Sequence, residues 1–267
     1  MDLPGRETPC SNPQGRDRKI DGAVPRGALL RLINLWWHEG RCLAGWSPAS
    51  RKILSAALRL LQDRLKPVLS PRCTHVKGRG GAKGTVRGLV KHIGDFRFVA
   101  RFDIASDYDS IQHRLLLDLL DKVSVGESLR ALVRQYLEAP DLKGASRGMV
   151  AGGALSSLLG ALYLLPLDDA MQRLAAKNGI YYLRYVDDMV ILSKTRWHLR
   201  AAIRELIRVT LFLGLELHRE KRFIGRMDDG FDFLGYRIPR PQAAPFRSKF
   251  AATRDTCSPA LRVGSRQ

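Results

Sequence analysis

Cysteine, long apolar runs and acidic residues are all scarce in this 267-residue sequence. The four cysteines are far apart and form no Cys-x-x-Cys pair, which argues against a structural zinc site and a disulfide framework and favours a reducing compartment. The longest apolar run, Leu155 to Leu167, is interrupted by Gly160 and Pro166 and is shorter than the roughly 20 residues of a membrane span. The N-terminal residues lack the apolar core of a secretory signal. These absences predict an intracellular protein without a membrane segment.

Acidic residues are outnumbered by basic ones, 26 to 45, which gives a formal net charge of +19. Such an excess predicts a polyanionic partner, most often nucleic acid, although an anionic membrane surface would also fit. The hydrophobic content of 45% is enough for a folded core. Residues 1–27 and the basic segment 239–267 are rich in Pro, Gly and charge and have no periodicity, so we expect both to be disordered.

The most informative stretch runs from Ile180 to Ser193, with the sequence IYYLRYVDDMVILS. Tyr, Val, Ile and Leu on both sides of Asp187-Asp188 predict two short strands joined by a tight turn that carries both carboxylates. Adjacent negative charges repel each other, and a divalent cation such as Mg2+ removes that cost because it binds carboxylate oxygens. The pair therefore predicts a metal site, with an ordinary hairpin turn as the alternative.

Two further Asp-Asp pairs have simpler explanations. Asp168-Asp169 lies at the start of a polar helical stretch, where acidic residues suit the positive end of the helix dipole. Asp228-Asp229 precedes Gly230, which is a turn signal. Only the pair at 187–188 lies within sequence typical of strands.

A single carboxylate, Asp103, comes at the end of a predicted strand from Phe96 to Ile104. Alternate residues on one side of this stretch are apolar, which predicts a half-buried strand with Asp103 on its polar face. A helix follows, beginning near Asp109 or Ser110. A carboxylate between a strand and a helix suits a metal ligand, but a helix cap is an equally good explanation.

Residues 72–91, RCTHVKGRGGAKGTVRGLVK, form a glycine-rich segment with many Lys and Arg residues and no acid. The composition predicts a loop whose backbone N–H groups and cations contact phosphates, with Lys77, Lys83 and Arg87 as candidates. The order GxxxxGK[ST] is missing, so the loop is not a P-loop. A solvated basic loop without a ligand is the alternative.

Periodicity predicts the remaining elements. Strands are expected at Phe223-Ile224 and over Phe231 to Ile238. Helices are expected over Leu29–Trp37, Pro48–Leu65, Glu127–Leu137, Ala154–Asn178 and Arg196–Gly214.

In this order, the segments resemble blocks of the catalytic domain of reverse transcriptases, most of all those of the bacterial group II intron-like lineage. FDIASDYDSI resembles the first palm block, and YVDD at 185–188 resembles the aromatic-x-Asp-Asp hairpin of the family. GMVAGGALSSLLGALYLLPLD resembles the helix block that cradles template and nucleotide. LHREKRFIG resembles the block that follows the hairpin, and FDFLGYRI resembles the primer grip. The resemblance extends from about Cys73 to Ile238.

The resemblance implies an α+β fold, namely the fingers and palm of a right-hand polymerase, with a small antiparallel palm sheet packed on helices. N-terminal helices and a fingers-like basic loop would occupy residues 28–95, and the palm catalytic domain would occupy 96–238. No thumb is predicted after residue 238.

The resemblance also implies roles for individual residues. Asp103, Asp187 and Asp188 would be catalytic, metal-binding carboxylates, with Asp188 supporting and the carbonyl of Ile104 as a further ligand. Lys221 would be a catalytic residue near the pyrophosphate leaving group. The nucleotide would be contacted by Lys77, Lys83, Arg87, Tyr108, Gly152 and Ser156, among which Tyr108 would exclude a ribose 2'-OH, and the primer would be contacted by Leu234, Gly235 and Tyr236.

The implied activity is RNA-directed DNA polymerisation. dNTPs would be added to the 3'-OH of a DNA or RNA primer on an RNA template, with two Mg2+ ions that Mn2+ could replace. Intron RNA is a further candidate partner, and the bacterial cytoplasm is the expected location.

Two departures from the family pattern favour an alternative. Ala151 stands where the family commonly carries Gln or Arg, and the sequence ends soon after the primer-grip block. These features would fit a non-catalytic or truncated relative that binds RNA, either an intron splicing factor or a remnant of a mobile element. An RNA polymerase on the same palm fold is a third interpretation, against which Tyr108 argues.

Overall fold

The computed structural model describes residues 27–38, 41–105, 107–141 and 144–238, so the disorder predicted for residues 1–26 and 239–267 lies outside the described residues. The chain forms two units. The first comprises Met1–Leu69 and Ser106–Leu165, and the second comprises Ser70–Ala105 and Pro166–Gln267. In the described ranges, no helix has the length and apolar character needed to cross a membrane.

The elements alternate between helices and short strands along the chain. The helices are α1 (Pro48–Leu65), α2 (Gly81–His92), α3 (Asp107–Ser110), α4 (His113–Val123), α5 (Glu127–Glu138), α6 (Ser156–Tyr163), α7 (Leu165–Asn178) and α8 (Arg196–Phe212). The strands are β1 (Leu32–His38), β2 (Arg41–Trp46), β3 (Phe98–Phe102), β4 (Ile104–Ala105), β5 (Tyr181–Tyr185), β6 (Asp188–Ser193), β7 (Glu216–Leu217), β8 (Phe223–Arg226), β9 (Phe231–Phe233) and β10 (Tyr236–Ile238).

The first unit begins with a hairpin where a helix was expected. The helix predicted over Leu29–Trp37 was wrong, because residues 32–38 form β1 and pair antiparallel with β2. A short apolar run cannot be assigned by periodicity alone. Here the aromatic and β-branched residues find a cross-strand partner in residues 41–46, and that pairing decides the structure.

Two of the predicted helices are each divided in two. The helix expected over 154–178 is broken at Leu164 into α6 and α7, because Pro166 has no N–H and its ring clashes with the preceding turn of a continuous helix. The helix expected from Asp109 is broken after Ser110, and α4 starts only at His113. The helices predicted at Pro48–Leu65 and Glu127–Leu137 are confirmed.

The second unit is built on a four-stranded antiparallel sheet in the order β5-β6-β3-β8, which we call the palm sheet. Helix α2 and the β9–β10 hairpin pack on one face through a core that includes Val86, Val99, Val190 and Phe233. Helix α8 packs on β3 and β6. Strand β3 is therefore not half-buried as predicted, since Val99 and Ala100, on opposite faces, are both fully buried.

The basic segment 72–91 is only partly a loop. Its second half is helix α2, which begins after Gly80 at φ +90°, a backbone conformation that favours glycine. The sequence prediction was wrong here because Lys and Arg are good helix formers and each glycine disfavours a helix by only about 1 kcal/mol. Burial of Val86 and Leu89 in the core of the second unit outweighs that effect.

Gly153→Ala tests the packing of the first unit. A β-carbon at Gly153 would overlap with the hydroxyl of Tyr136, which is buried and lies 2.7 Å from the Ser156 hydroxyl. We expect the free energy of unfolding to fall by about 1–3 kcal/mol in chemical denaturation. The matched change Gly88→Ala in α2 meets no atom within 4 Å and should raise stability by about 0.5–1 kcal/mol. Equal effects of the two substitutions would contradict this packing.

Candidate active site

Strand pairing brings three carboxylates to one end of the palm sheet. Strands β3 and β6 are antiparallel with Phe102 opposite Met189, so one further step in the register places Asp103 opposite Asp188. Tyr185 pairs with Asp188 across a two-residue turn formed by Val186 and Asp187. The hairpin predicted from the sequence is confirmed, and its carboxylates lie beside the strand end that carries Asp103.

Negative charge is concentrated at this point. The pKa of Asp188 is raised from 3.8 to about 6, first by burial and then by the charges of Asp187 and Asp103. The cations Arg101 and Lys221 act in the opposite direction but do not cancel the shift. Asp187 and Asp103 are therefore close enough to Asp188 to contribute to the rise of its pKa.

Two basic side chains neutralise part of this charge. Lys221 Nζ donates to the two carboxylate oxygens of Asp103 at 3.2 and 3.4 Å, and the Asp103 side chain is 7% exposed. Arg101 Nε lies 3.8 Å from Asp188 Oδ1, while its Nη1 donates to the carbonyl of Asp232 at 2.7 Å. Lys221 was predicted to belong to the site. Arg101, which no sequence motif singled out, was missed.

The residues fit a divalent cation in chemistry. They supply carboxylate oxygens, and the pKa of Asp188 is raised by burial and by the neighbouring carboxylates, both of which a bound cation would offset. Among the residues that the structure describes, no three Asp, Glu, His or Cys side chains are arranged closely enough to complete a metal site. The ammonium of Lys221 occupies the position next to Asp103 instead.

The turn that carries Asp187 has a strained residue. Val186 has φ +56°, a region that β-branched residues rarely adopt and that costs of order 1–3 kcal/mol. Its N–H donates to His75 Nδ1 at 3.0 Å, and its carbonyl accepts from Arg184 Nη1 at 2.9 Å. Arg184 in turn forms a bidentate pair with Asp168.

Sequence analysis missed His75, Arg184 and Asp168. Asp168 was explained by the helix dipole, but it is fully buried and faces Arg184, which is also fully buried. A basic residue within the apolar run YYLRY was the signal that could have indicated a buried acidic partner.

The other predicted residues of the second unit lie around the palm sheet. Ile104 is buried in β4, opposite Leu217. Lys77 is exposed in the loop before α2. Lys83 and Arg87 are exposed one helical turn apart on α2 itself, and not in a loop as predicted.

Two of the three residues predicted for the primer grip, Leu234 and Gly235, form the turn of the β9–β10 hairpin, and the third, Tyr236, begins β10. Leu234 and Gly235 both have positive φ, at 50° and 77°, which is the pattern of a type I′ turn. Gly235 is exposed, whereas Leu234 and Tyr236 pack partly against the core. The turn therefore exposes Gly235 to solvent, while Leu234 and Tyr236 hold it against the core.

Tyr108, Gly152 and Ser156 belong to the first unit. Tyr108 is half-buried on α3, and its carbonyl accepts the Met149 N–H at 2.7 Å. Gly152 has φ +66°. Ser156 is buried and donates to the Val150 carbonyl at 2.6 Å, so its hydroxyl fixes the turn before α6. Nucleotide contact by these three residues stays a prediction.

Asp188→Asn tests the electrostatics of the site in metal-free buffer. Because its folded-state pKa is raised, Asp188 retains a proton in the folded state between about pH 4 and 6, and its contribution to stability is lost as the pH rises through 6. At pH 7.5 the variant should gain about 1–3 kcal/mol in free energy of unfolding, with no gain at pH 4. Asp63→Asn, at an exposed position of α1, should show no gain at either pH. An equal gain at both pH values would contradict the crowding of these carboxylates.

Sequence comparison places the chain among polymerases. A family model described as reverse transcriptase (RNA-dependent DNA polymerase) matches residues 47–238. Protein YkfC of Escherichia coli (strain K12) is 27% identical over 276 residues, covering 90% of this chain and 65% of that protein. The retrovirus-related Pol polyprotein from type-1 retrotransposable element R2 of Nasonia vitripennis is 28% identical over 142 residues, covering 46% of this chain and 14% of that protein. The chain thus spans just under two thirds of YkfC and a small part of the Pol polyprotein.

Solved structures with a similar fold include telomerases. Apo telomerase from Candida tropicalis, truncated from its C-terminal domain, has a TM-score of 0.59 at 12% identity, covering 82% of this chain and 54% of that one. Telomerase from the same organism in complex with a fragment of telomeric RNA has a TM-score of 0.61 at 12% identity, covering 88% and 46%. The α+β fold with small antiparallel sheets, expected from the resemblance, is thereby confirmed. Since the family model covers the chain from the start of α1 to the end of β10, the chain belongs to the reverse transcriptase (RNA-dependent DNA polymerase) family.

Proposed function

We propose that this chain is the catalytic domain of an RNA-directed DNA polymerase, which adds dNTPs to a primer 3'-OH on an RNA template. The observation that carries the proposal is the register of β3 and β6, in which Asp103 lies opposite Asp188 and beside the turn at Asp187, in a chain of this family. In-line phosphoryl transfer depends on carboxylates grouped in this way.

Two Mg2+ ions, or Mn2+, would be held by Asp103 and Asp187, with Asp188 and the carbonyl of Ile104 in support. When bound, such ions activate the attacking oxygen and stabilise the leaving oxygen. The protein holds carboxylate donors at the end of two paired strands, so their positions are fixed before a substrate arrives. The raised pKa of Asp188 supports the assignment, because added positive charge would lower the free energy of its ionised form.

The proposed role of Lys221 depends on whether Asp103 binds a cation. In the structure its ammonium neutralises Asp103, and its side chain is 51% exposed. A cation bound by Asp103 would repel the ammonium. Lys221 would then be available to neutralise the pyrophosphate and to donate a proton to it.

Substrate contacts are assigned from the family resemblance, and exposure supports the basic ones among them. Tyr108 would exclude the ribose 2'-OH, and the group II intron-like lineage, an intron RNA partner and a bacterial cytoplasmic location belong to the same proposal. The basic side chains before and on α2 are exposed to solvent, which suits phosphate contacts. The proposed contacts are Lys77, Lys83, Arg87, Gly152 and Ser156 for the nucleotide and Leu234, Gly235 and Tyr236 for the primer.

Primer extension tests the proposal directly. The chain, supplied with an RNA template, an annealed primer, dNTPs and Mg2+, should extend the primer. Asp187→Asn keeps the size of the side chain but removes the negative charge that would hold a cation. We expect extension to fall by at least about a thousandfold, since metal stabilisation of the transition state is worth several kcal/mol. Asp169→Asn, which changes an exposed carboxylate on α7, is the matched control and should keep the wild-type rate.

Three other outcomes would overturn the proposal. Unchanged synthesis by Asp187→Asn would remove the carboxylates from the mechanism. A chain that binds RNA in a salt-dependent manner but extends no primer would be a non-catalytic RNA-binding relative. A preference for NTPs over dNTPs would identify an RNA polymerase and would contradict the role of Tyr108.

A further inference from the structure

Both backbone groups of the strained residue Val186 are held by side chains from other parts of the second unit. The N–H donates to His75 Nδ1 at 3.0 Å, and the carbonyl accepts from Arg184 Nη1 at 2.9 Å. Asp187 is the next residue. The two hydrogen bonds therefore fix the peptide planes from which the Asp187 carboxylate projects.

The Arg184 side chain is itself immobilised. Its Nε and Nη2 donate to the two oxygens of Asp168 at 2.8 and 2.5 Å, and both side chains are fully buried. The hydroxyl of Tyr182 donates to Asp168 Oδ1 at 2.8 Å. Because the edge with Nε and Nη2 is held by Asp168, the planar guanidinium directs Nη1 toward the carbonyl of Val186.

His75 directly follows a segment, residues 72–74, that is hydrogen-bonded to the edge strand β5. The Arg184 N–H donates to the carbonyl of Arg72 at 2.9 Å, and the Thr74 N–H donates to the carbonyl of Arg184 at 2.9 Å. Because the Val186 N–H is a donor, Nδ1 of His75 must be the unprotonated nitrogen. The Cys73 sulfur lies 3.5 Å from the same nitrogen, and burial raises the pKa of this thiol to about 11, so the thiol stays protonated beside it.

We propose that Asp168, Arg184 and His75 are positioning residues, which keep Val186 at positive φ and thereby set the direction of the Asp187 carboxylate. None of them needs to touch the substrate. Without them the turn relaxes to an unstrained conformation and Asp187 moves away from Asp103. The kinetic part of this proposal rests on the proposed polymerase function.

The test combines kinetics with a structural measurement on the same variants. Arg184→Lys keeps the positive charge but lacks the planar guanidinium fork that bonds Asp168 and Val186 in fixed directions, and His75→Ala removes the acceptor. Both should lower kcat for primer extension by about 10- to 100-fold, the effect expected of a misplaced catalytic group, with KM for dNTP within about threefold. Hydrogen exchange of the Val186 amide should accelerate at least tenfold. His75→Asn, which keeps an acceptor near the position of Nδ1, should restore both quantities at least in part.

Matched controls separate positioning from folding. Arg51→Lys alters an exposed arginine on α1, and Asp169→Asn alters the neighbour of Asp168, so both should leave kcat and amide exchange unchanged. The proposal is overturned if Arg184→Lys or His75→Ala lowers only the melting temperature while Val186 exchange and kcat stay at wild-type values. If the wild-type chain extends no primer, the polymerase function fails, and exchange at Val186 still decides the positioning claim.

A different surface carries a second inference. The solvent face of α8, opposite its buried residues, presents Arg196, Trp197, Arg200 and Arg204, and Trp197 is 75% exposed. The Arg200 guanidinium lies 5.4 Å from the centre of the Trp197 ring. Glu205, the one acid in the helix sequence, is paired with Arg208. The face is therefore basic and carries an exposed aromatic ring.

A groove of about 340 Å³ lies beside this face, between α8 and the edge strand β8. Its floor includes Phe98, over which Arg196 stacks at 5.5 Å, and Ile224, which is 52% exposed. Phe98 begins β3 and Asp103 follows its end, so about 17 Å of strand separates the groove from the carboxylates. The groove is thus distinct from the candidate active site.

We infer that this face, comprising α8 residues 196–208 and the adjoining groove, binds single-stranded RNA. Arginines supply charge complementary to phosphates, and the exposed ring of Trp197 with its stacked arginine offers a platform for a base. A membrane surface fits less well, because four exposed arginines outnumber the two large exposed apolar side chains, Trp197 and Ile207, between residues 196 and 208.

Binding of a fluorescent single-stranded RNA tests this surface at physiological salt. The variant Trp197→Ala/Arg200→Ala/Arg204→Ala should bind at least tenfold more weakly and should lose ultraviolet crosslinks to the peptide that contains residue 197. The control Arg51→Ala/Lys52→Ala/Arg59→Ala removes three exposed positive charges from α1 and should change binding by less than about threefold. Equal losses in both variants, or binding of the face to anionic vesicles without an RNA crosslink at 197, would overturn the inference.

Discussion

The end of the palm sheet that carries the candidate active site depends on one buried ion pair. Arg184 and Asp168 are both fully buried, and each would be strongly unfavourable there without the other. Replacing such a pair with apolar residues is often neutral or stabilising, so stability alone does not explain it. What the pair supplies is direction: it ties helix α7 to strand β5 and leaves one guanidinium nitrogen for the carbonyl of Val186. The conformation of the Asp187 turn therefore depends on the buried ion pair between Arg184 and Asp168.

Local sequence patterns were sufficient to predict the elements that depend only on residues close together in the chain. The Asp187 hairpin follows from two runs of strand-forming residues around a polar turn, and α1 and α5 follow from helical periodicity. The pairing of β3 with β6 could not be predicted from local sequence patterns. It joins segments far apart in sequence, and the family resemblance, rather than any spacing, indicated that Asp103 and Asp188 meet.

The errors have a common physical cause, which is burial by a distant partner. Asp168 was explained by the helix dipole because a carboxylate in a first helical turn is usually exposed, and its buried partner Arg184 is on another element. Strand β3 was expected to be half-buried because the helices that cover both of its faces were not considered together. The role of His75 could not be predicted from the basic segment that contains it, because the adjacent residues in the sequence do not indicate that its ring accepts a hydrogen bond from Val186.

The net charge of the chain and the charge of the candidate site have opposite effects on a polyanionic partner. A net charge of +19 attracts a polyanion, whereas Asp103, Asp187 and Asp188 repel the phosphates that such a partner brings. Lys221 on Asp103 and Arg101 near Asp188 reduce that repulsion when no cation is bound, but the pKa of Asp188 remains raised. Residual negative charge is thus maintained at the sheet end by the rigidity of the strands and of the turn. The proposed function therefore implies that a divalent cation and a phosphate bind this site together more favourably than either one alone, because only the two together balance the local charge.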